Sequence, residues 1–157
     1  MKKFSLEWWS SLTPHQIGNE VEGLVEKVLK DFNTRLSFAV HRLPDTKSAR
    51  LNAIAAQPAD YTYRCGDFAG FIEVKALGHP YRLPKGNLPQ LATLRKWSHA
   101  GSNDVILVYH YLQGHWRALL PLWLDPAKPS WDLRDYGYNY TAEDALKSTG
   151  YFGGMDE

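Results

Sequence analysis

Cysteine is nearly absent: Cys65 is the single one in 157 residues, which excludes an internal disulfide and fits a reducing compartment. Long apolar runs are absent too. Nothing approaches the roughly 18 residues that cross a bilayer, so no membrane association is expected. Residues 1–10 (MKKFSLEWWS) lack the apolar core and small-residue cleavage site of a secretory leader, so a cytoplasmic location is expected. No G-x-x-x-x-G-K-[ST] or G-x-G-x-x-G occurs, leaving nucleotide hydrolysis and a nucleotide cofactor without support. The G-x-S-x-G elbow of serine hydrolases is missing. The six histidines, among them His79 and His99, fall into no H-x-x-x-H, HExxH or Cys-His ligand pattern, which argues against zinc.

What is present is an ordinary globular composition, 44% hydrophobic and 22% charged, in a length of about one domain. We read residues 1–157 as a single domain with its core at about 14–124, and 125–157 as an aromatic, acidic extension packing on it. Net charge is only +1, yet its distribution is uneven. Residues 32–103 hold ten basic and four acidic residues, a balance of +6, and no acid stands between Glu73 and Asp104. A basic middle suits a polyanion, although a solvated surface has the same composition.

Thr13, Pro14 and Gln16 spell an N-cap, a first-turn proline and a capping box. Ile17, Val21, Leu24, Val25, Val28, Leu29 and Phe32 then keep one apolar face until Asn33, predicting a helix of about five turns. RLSFAVH (35–41) reads as a strand, 44–58 as a long connection, and DYTYRC (60–65) and AGFIEVKAL (69–77) as a hairpin turning at Gly66-Asp67. GHPYRLPKGNLP (78–89) predicts a loop or arm, QLATLRKWSHAG (90–101) a helix closed by Gly101, DVILVYHY (104–111) a buried strand, and HWRALLPLWL (115–124) its partner. A short helix is expected over 141–149. The order α-β-β-β-α-β predicts an α/β domain around a central mixed sheet flanked by helices.

FIEVKAL (71–77) poses the chemical question. Side chains alternate along a strand, so Glu73 and Lys75 share a face of an otherwise apolar segment. On an exposed edge such a pair is worth about 0–1 kcal/mol; in a central strand it is costly. Hairpin pairing brings Asp60 toward Glu73. Two carboxylates with a nearby main-chain carbonyl are the ligands a hard cation such as Mg²⁺ takes, and Lys75 beside it suits a water or a phosphate. Asp67 also precedes Glu73, but Gly66-Asp67 reads as turn chemistry, which favours Asp60.

These residues resemble the PD-(D/E)xK nuclease superfamily, and within it the RecU-type and phage Holliday-junction resolvases. Gly18-Asn19-Glu20-Val21-Glu22 is similar to its first-helix element, and His41-Arg42-Leu43-Pro44-Asp45 to the segment after its first strand. Pro58-Ala59-Asp60-Tyr61 is similar to its Pro-Asp element (with Ala59 interrupting the dipeptide), Ile72-Glu73-Val74-Lys75-Ala76 to its E-x-K, and Arg82 through Gln90 to its proline-containing loop before a helix. The resemblance spans about 17–124. It implies a restriction-endonuclease-like core and Mg²⁺-dependent hydrolysis of DNA, with Mn²⁺ able to substitute. It further implies a homodimer acting on branched DNA in recombination and repair, in the cytoplasm of a bacterial or phage-infected cell. Metal ligands would be Asp60, Glu73, the Val74 carbonyl and Glu22, with Glu20 the rival of Glu22. Lys75 would activate water and Gln90 would position it. Arg82, Lys85, Arg95 and Lys96 are the expected phosphate contacts.

Trp8 and Trp9 with Phe4, Leu6 and Leu12 make an apolar N-terminus that suits core packing or a dimer contact. Trp116, Trp123 and Trp131 are expected to pack the second half, and Tyr81 to be available for stacking on a base.

Overall fold

Gln16 donates its backbone N–H to the Thr13 hydroxyl at 3.2 Å, and its side-chain oxygen accepts the Thr13 N–H at 2.9 Å. This box starts the long helix at the residue the sequence marks. In the computed structural model, which describes residues 1–44 and 58–156, helix α1 (Leu6–Ser10) precedes α2 (Pro14–Phe32) and strand β1 (Phe38–Arg42). Then follow β2 (Tyr61–Cys65), β3 (Phe68–Leu77), β4 (Arg82–Pro84), α3 (Leu91–His99), β5 (Val105–His110), β6 (His115–Leu119), β7 (Ser130–Asp132) and α4 (Ala142–Lys147). Asp45 and most of the predicted connection lie outside the described residues.

The sheet order is β1-β2-β3-β5-β6. Only β3 and β5 run parallel; the other neighbours are antiparallel. A parallel pair needs a long crossover, and the arm with α3 supplies it. Alternation along β3 and β5 divides the core between two faces. Ile72, Val74, Val105 and Leu107 pack with Val21, Val25 and Leu29 of α2 and with Ala145 and Leu146 of α4. On the opposite face Leu77, Ile106, Val108 and Leu119 pack with Leu91 and Leu94 of α3 and with Leu83, Trp131 and Leu133. Each such Val, Leu or Ile side chain contributes about 1.5–3 kcal/mol on burial, so a charge at Val25 would break α2 from the sheet.

The β2–β3 turn uses Gly66 at φ +58°, a left-handed position that favours glycine. Gly70 fills a different need: a Cβ there would stand 2.2 Å from the Asn103 carbonyl oxygen. Backbone close approach, not turning, fixes that glycine.

Several expectations shift. The first strand begins at Phe38, because residues 34–37 are still turning out of α2. The last predicted strand stops at Leu119, and Pro121–Trp123 form a 3-10 turn. Trp116 and Trp131 are buried, but Trp123 is 47% exposed and stacks on Tyr136. Trp9 is buried against Tyr109 and Tyr111, the core-packing alternative for the N-terminus. The arm is no free arm. Its β4 pairs with β7 from the C-terminal extension, Arg82 opposite Asp132 and Pro84 opposite Ser130. Tyr81 O accepts the Leu133 N–H at 2.7 Å, and the Arg134 guanidinium covers the Tyr81 ring at 4.0 Å.

Candidate active site

Asp60 enters β2 one residue before Tyr61, whose Cα partner is Ile72; continuing that register places Asp60 opposite Glu73. The Asp60 N–H donates to Ile72 O at 3.2 Å, and its Oδ2 accepts the Val74 N–H at 2.8 Å. The carboxylate is therefore fixed against the E-x-K triplet. Asp67 is exposed in the turn at the other end of the hairpin.

Glu73 is 3% exposed. Burial, and then the charge and hydrogen-bonding reach of Asp60, push its pKa up to about 9 against the pull of Lys75. Lys75 Nζ stands 3.6 Å from Glu73 Oε1, an ion pair rather than a close hydrogen bond. Lys75 is opposite Val108, and Glu73 opposite Ile106; apolar neighbours on β5 keep the pair poorly solvated.

From α2, Gly18, Asn19 and Glu22 face the same cleft, a spacing that keeps them on one helical face. Glu20 instead points toward Lys3, 3.7 Å away. Glu22 Oε1 lies 3.0 Å from Arg42 Nη2, an ion pair without hydrogen-bond alignment. Burial first and Asp60 second raise the Glu22 pKa, and Arg42 opposes them. Gln90 occupies the N-cap position of α3, yet its side chain makes no capping bond. The cleft, about 450 Å³ in volume, is lined by Glu22, Arg42, Asp60, Glu73, Val74, Lys75 and Gln90, with Pro14 and His15 at its rim.

Among the described residues no hydrogen-bond donor reaches three buried oxygens here: Glu22 Oε1, Glu73 Oε2 and Gln90 Oε1. All three residues line this cleft. Unsatisfied buried acceptors are costly, and a hard cation is the partner that oxygen donors fit. Among the described residues no three His, Cys, Asp or Glu side chains form a ready metal cage. The acids are arranged as a tight Asp60–Glu73 pair, with Glu22 held by Arg42.

Arg42 is the member of this site that sequence reasoning left without a role. Its position just after FAVH, at the end of a strand pairing with the one that Asp60 opens, was the available signal. Of the expected phosphate contacts, Arg82 and Lys96 are exposed. Arg95 is committed elsewhere, donating to Pro121 O at 3.1 Å and Leu124 O at 2.9 Å. Lys85 Nζ donates to Pro126 O.

A mixed five-stranded sheet with a long N-terminal helix on one face and a crossover helix on the other is the restriction-endonuclease-like architecture. The chain is similar in structure to Hjc from Archaeoglobus fulgidus, a Holliday junction resolvase from an archaeal hyperthermophile, with a TM-score of 0.50 and 21% identity. The match covers 82% of this chain and 95% of that one. No protein-family model and no curated protein matches this sequence.

Proposed function

We propose that this chain is a divalent-metal-dependent DNA endonuclease of the PD-(D/E)xK kind, acting on branched DNA as a Holliday-junction resolvase. One observation carries the reading: Glu22, Glu73 and Gln90, which line the cleft that holds Asp60 and Lys75, each keep a buried oxygen that no donor among the described residues reaches. The fold shared with the archaeal resolvase supports it.

Asp60, Glu73 and the Val74 carbonyl would hold Mg²⁺ or Mn²⁺, with Glu22 and Gln90 contributing oxygens directly or through water. Such a cation supplies Lewis-acid polarisation of a phosphoryl oxygen and neutralises charge gathering at phosphorus. Lys75 presents its ammonium to the same place, where it orients the attacking water and stabilises the growing negative charge. Asp60, pinned by the Val74 N–H, fixes the position of its carboxylate before substrate arrives. Water adds to phosphorus as the bond to the leaving oxygen breaks, and a proton passes to that oxygen. Two copies, each with one cleft, would match the two-fold symmetry of a four-way junction.

The test is cleavage of matched four-way junction, flap and duplex DNA with Mg²⁺, beside Lys75→Ala. Junction cleavage lost in Lys75→Ala is the expected result. Preference for flap or duplex would move the substrate while keeping the site. No cleavage of any DNA, together with no Mg²⁺ or Mn²⁺ binding in calorimetry, would make the chain a non-catalytic DNA-binding protein.

A further inference from the structure

Two acids of the cleft face a cation of the chain itself. Lys75 Nζ stands 3.6 Å from Glu73 Oε1, and Arg42 Nη2 stands 3.0 Å from Glu22 Oε1. The two pairs differ in kind. Lys75 and Glu73 share one strand, whose alternation sets them side by side. Arg42 ends β1 and meets Glu22 across a gap between strand and helix. Its side chain is 52% exposed, and that of Glu22 is 21% exposed. A solvent-facing guanidinium therefore stands over a buried carboxylate oxygen.

The hold of Arg42 on Glu22 is loose. Its N–H groups are not aligned on Glu22 Oε1, so the pair lacks the charge-assisted hydrogen bond that makes such contacts strong. Coulomb attraction remains, and a half-exposed pair keeps little of it. The backbone beneath is fixed: Arg42 pairs with Tyr61, and the Leu43 N–H donates to Asp60 O at 2.8 Å. Arg42 Nη1 also donates to the Tyr61 hydroxyl at 3.4 Å, and the guanidinium lies 5.8 Å from that ring's centre. Glu26, one turn further along α2, already holds Lys30 at 3.6 Å. A rigid base with a loosely held head lets a side chain change partner.

Charge indicates which partner comes next. Three carboxylates, Glu22, Asp60 and Glu73, line the cleft with two cations, Arg42 and Lys75. When those acids ligate a divalent ion, one positive charge is left over, and Glu22 no longer needs Arg42. A phosphodiester carries the single negative charge that balances it. Its two free oxygens also match the fork of a guanidinium.

We propose that Arg42 couples metal loading to DNA loading: it attends Glu22 in metal-free protein and passes to a DNA phosphate when Glu22 ligates the ion. The proposal rests on the nuclease reading for the metal and for the strand. Arg42 is then a positioning residue in the free protein and a phosphate contact in the complex. Such coupling is reciprocal. DNA that draws Arg42 away leaves Glu22 free and tightens metal binding, and Glu22 on a metal ion releases Arg42 and tightens DNA binding by the same factor.

Titration calorimetry measures the Mn²⁺ dissociation constant of Lys75→Ala protein, expected to leave DNA uncut, both alone and saturated with four-way junction. Junction should tighten Mn²⁺ binding about tenfold, inside the span usual for coupled sites. Adding Arg42→Ala should lower that ratio at least about threefold. It should also tighten Mn²⁺ binding to DNA-free protein about two- to fivefold, the worth of one half-exposed ion pair. Arg42→Gln, which keeps the stem beside Tyr61, should do the same, and both variants should retain the parent's circular dichroism. In a Glu22→Gln background Arg42→Ala should no longer tighten Mn²⁺ binding; an equal gain there would reveal general charge repulsion and overturn the transfer. An unchanged ratio in both Arg42 variants, or weaker Mn²⁺ binding by them without DNA, would overturn it as well. Those results in a protein whose Lys75-intact form cuts junctions overturn the coupling alone. Absence of Mn²⁺ binding in the parent overturns it together with the nuclease reading.

Discussion

The Val74 N–H donates to Asp60 Oδ2 at 2.8 Å, tying the acid that opens one strand to the residue between Glu73 and Lys75 on the next. The bond orients the Asp60 carboxylate without using both of its oxygens. Asp60→Asn retains an oxygen for the Val74 N–H and should fold normally while losing Mg²⁺-dependent cleavage. Asp67→Asn, in the exposed turn, should retain most of it. An active Asp60→Asn beside a dead Asp67→Asn would reverse the assignment of the ligand.

Lys75→Ala should lower turnover on the order of 10²–10³-fold, the scale of losing one preorganised electrostatic group. Single-turnover kinetics with saturating Mg²⁺ measures this. A change confined to substrate affinity would show that Lys75 only binds.

Metal binding should expel a proton. Glu73, raised to about 9 by burial and by Asp60, is protonated at pH 7 without a cation and must ionise to ligate one. Titration calorimetry with Mn²⁺ in buffers of different ionisation enthalpy should report roughly one proton released at pH 7. Glu73→Gln should abolish the release, and a buffer-independent heat in the parent would contradict the assignment.

Two buried groups set opposite pH dependences in metal-free protein. Glu73 holds a proton when folded that the unfolded chain loses above its ordinary 4.5, so its contribution falls as pH rises from 4.5 to about 9. His110, buried, receives the Arg117 Nη1 donor at 2.9 Å. Burial, opposed by the His79 backbone bond and reinforced by Arg117, lowers its pKa from 6.5 to about 4. The unfolded chain then binds the extra proton, so this contribution is lost as pH falls from 6.5 to 4. Between 4.5 and 6.5 the two oppose each other; above 6.5 the His110 contribution is complete and the decline set by Glu73 continues. Thermal unfolding in chelator should show stability declining from pH 6.5 to 9, and Glu73→Gln should flatten that decline. An unaltered slope in Glu73→Gln would assign the effect elsewhere.

The basic residues should separate by role. Arg82→Ala and Lys96→Ala should each weaken DNA binding and reduce the salt slope by about 1. Arg95→Ala should lower the melting temperature, because the Pro121 and Leu124 carbonyls lose their shared donor, and leave the slope unchanged. A lower slope in Arg95→Ala would restore it to the DNA-binding surface.

Local chemistry made much of the fold legible. Thr13, Pro14 and Gln16 specify the start of α2 within a few residues of chain, and Gly66-Asp67 with alternating neighbours specifies the hairpin that sets Asp60 against Glu73. Contacts distant in sequence were not legible. The β4–β7 pairing joins Arg82 to Asp132 across the intervening helix and two strands, and each partner strand has only three residues. The Arg42–Glu22 pair depends on how β1 packs beside α2. Arg95 looked like any helical surface arginine until the 3-10 turn at Pro121–Trp123 presented it with carbonyls. The charge pattern of the arm was visible; its anchoring was not.

That anchoring has a consequence for engineering. Because Leu83, Trp131 and Leu133 share one apolar cluster and the Tyr81 carbonyl is satisfied by Leu133, the loop after Leu77 and the chain beyond Leu124 constitute a single graft. A chimera that imports either from a homologue without its mate inherits two loose ends, and deleting the extension strips the crossover of its scaffold while every acid of the cleft remains in the polypeptide.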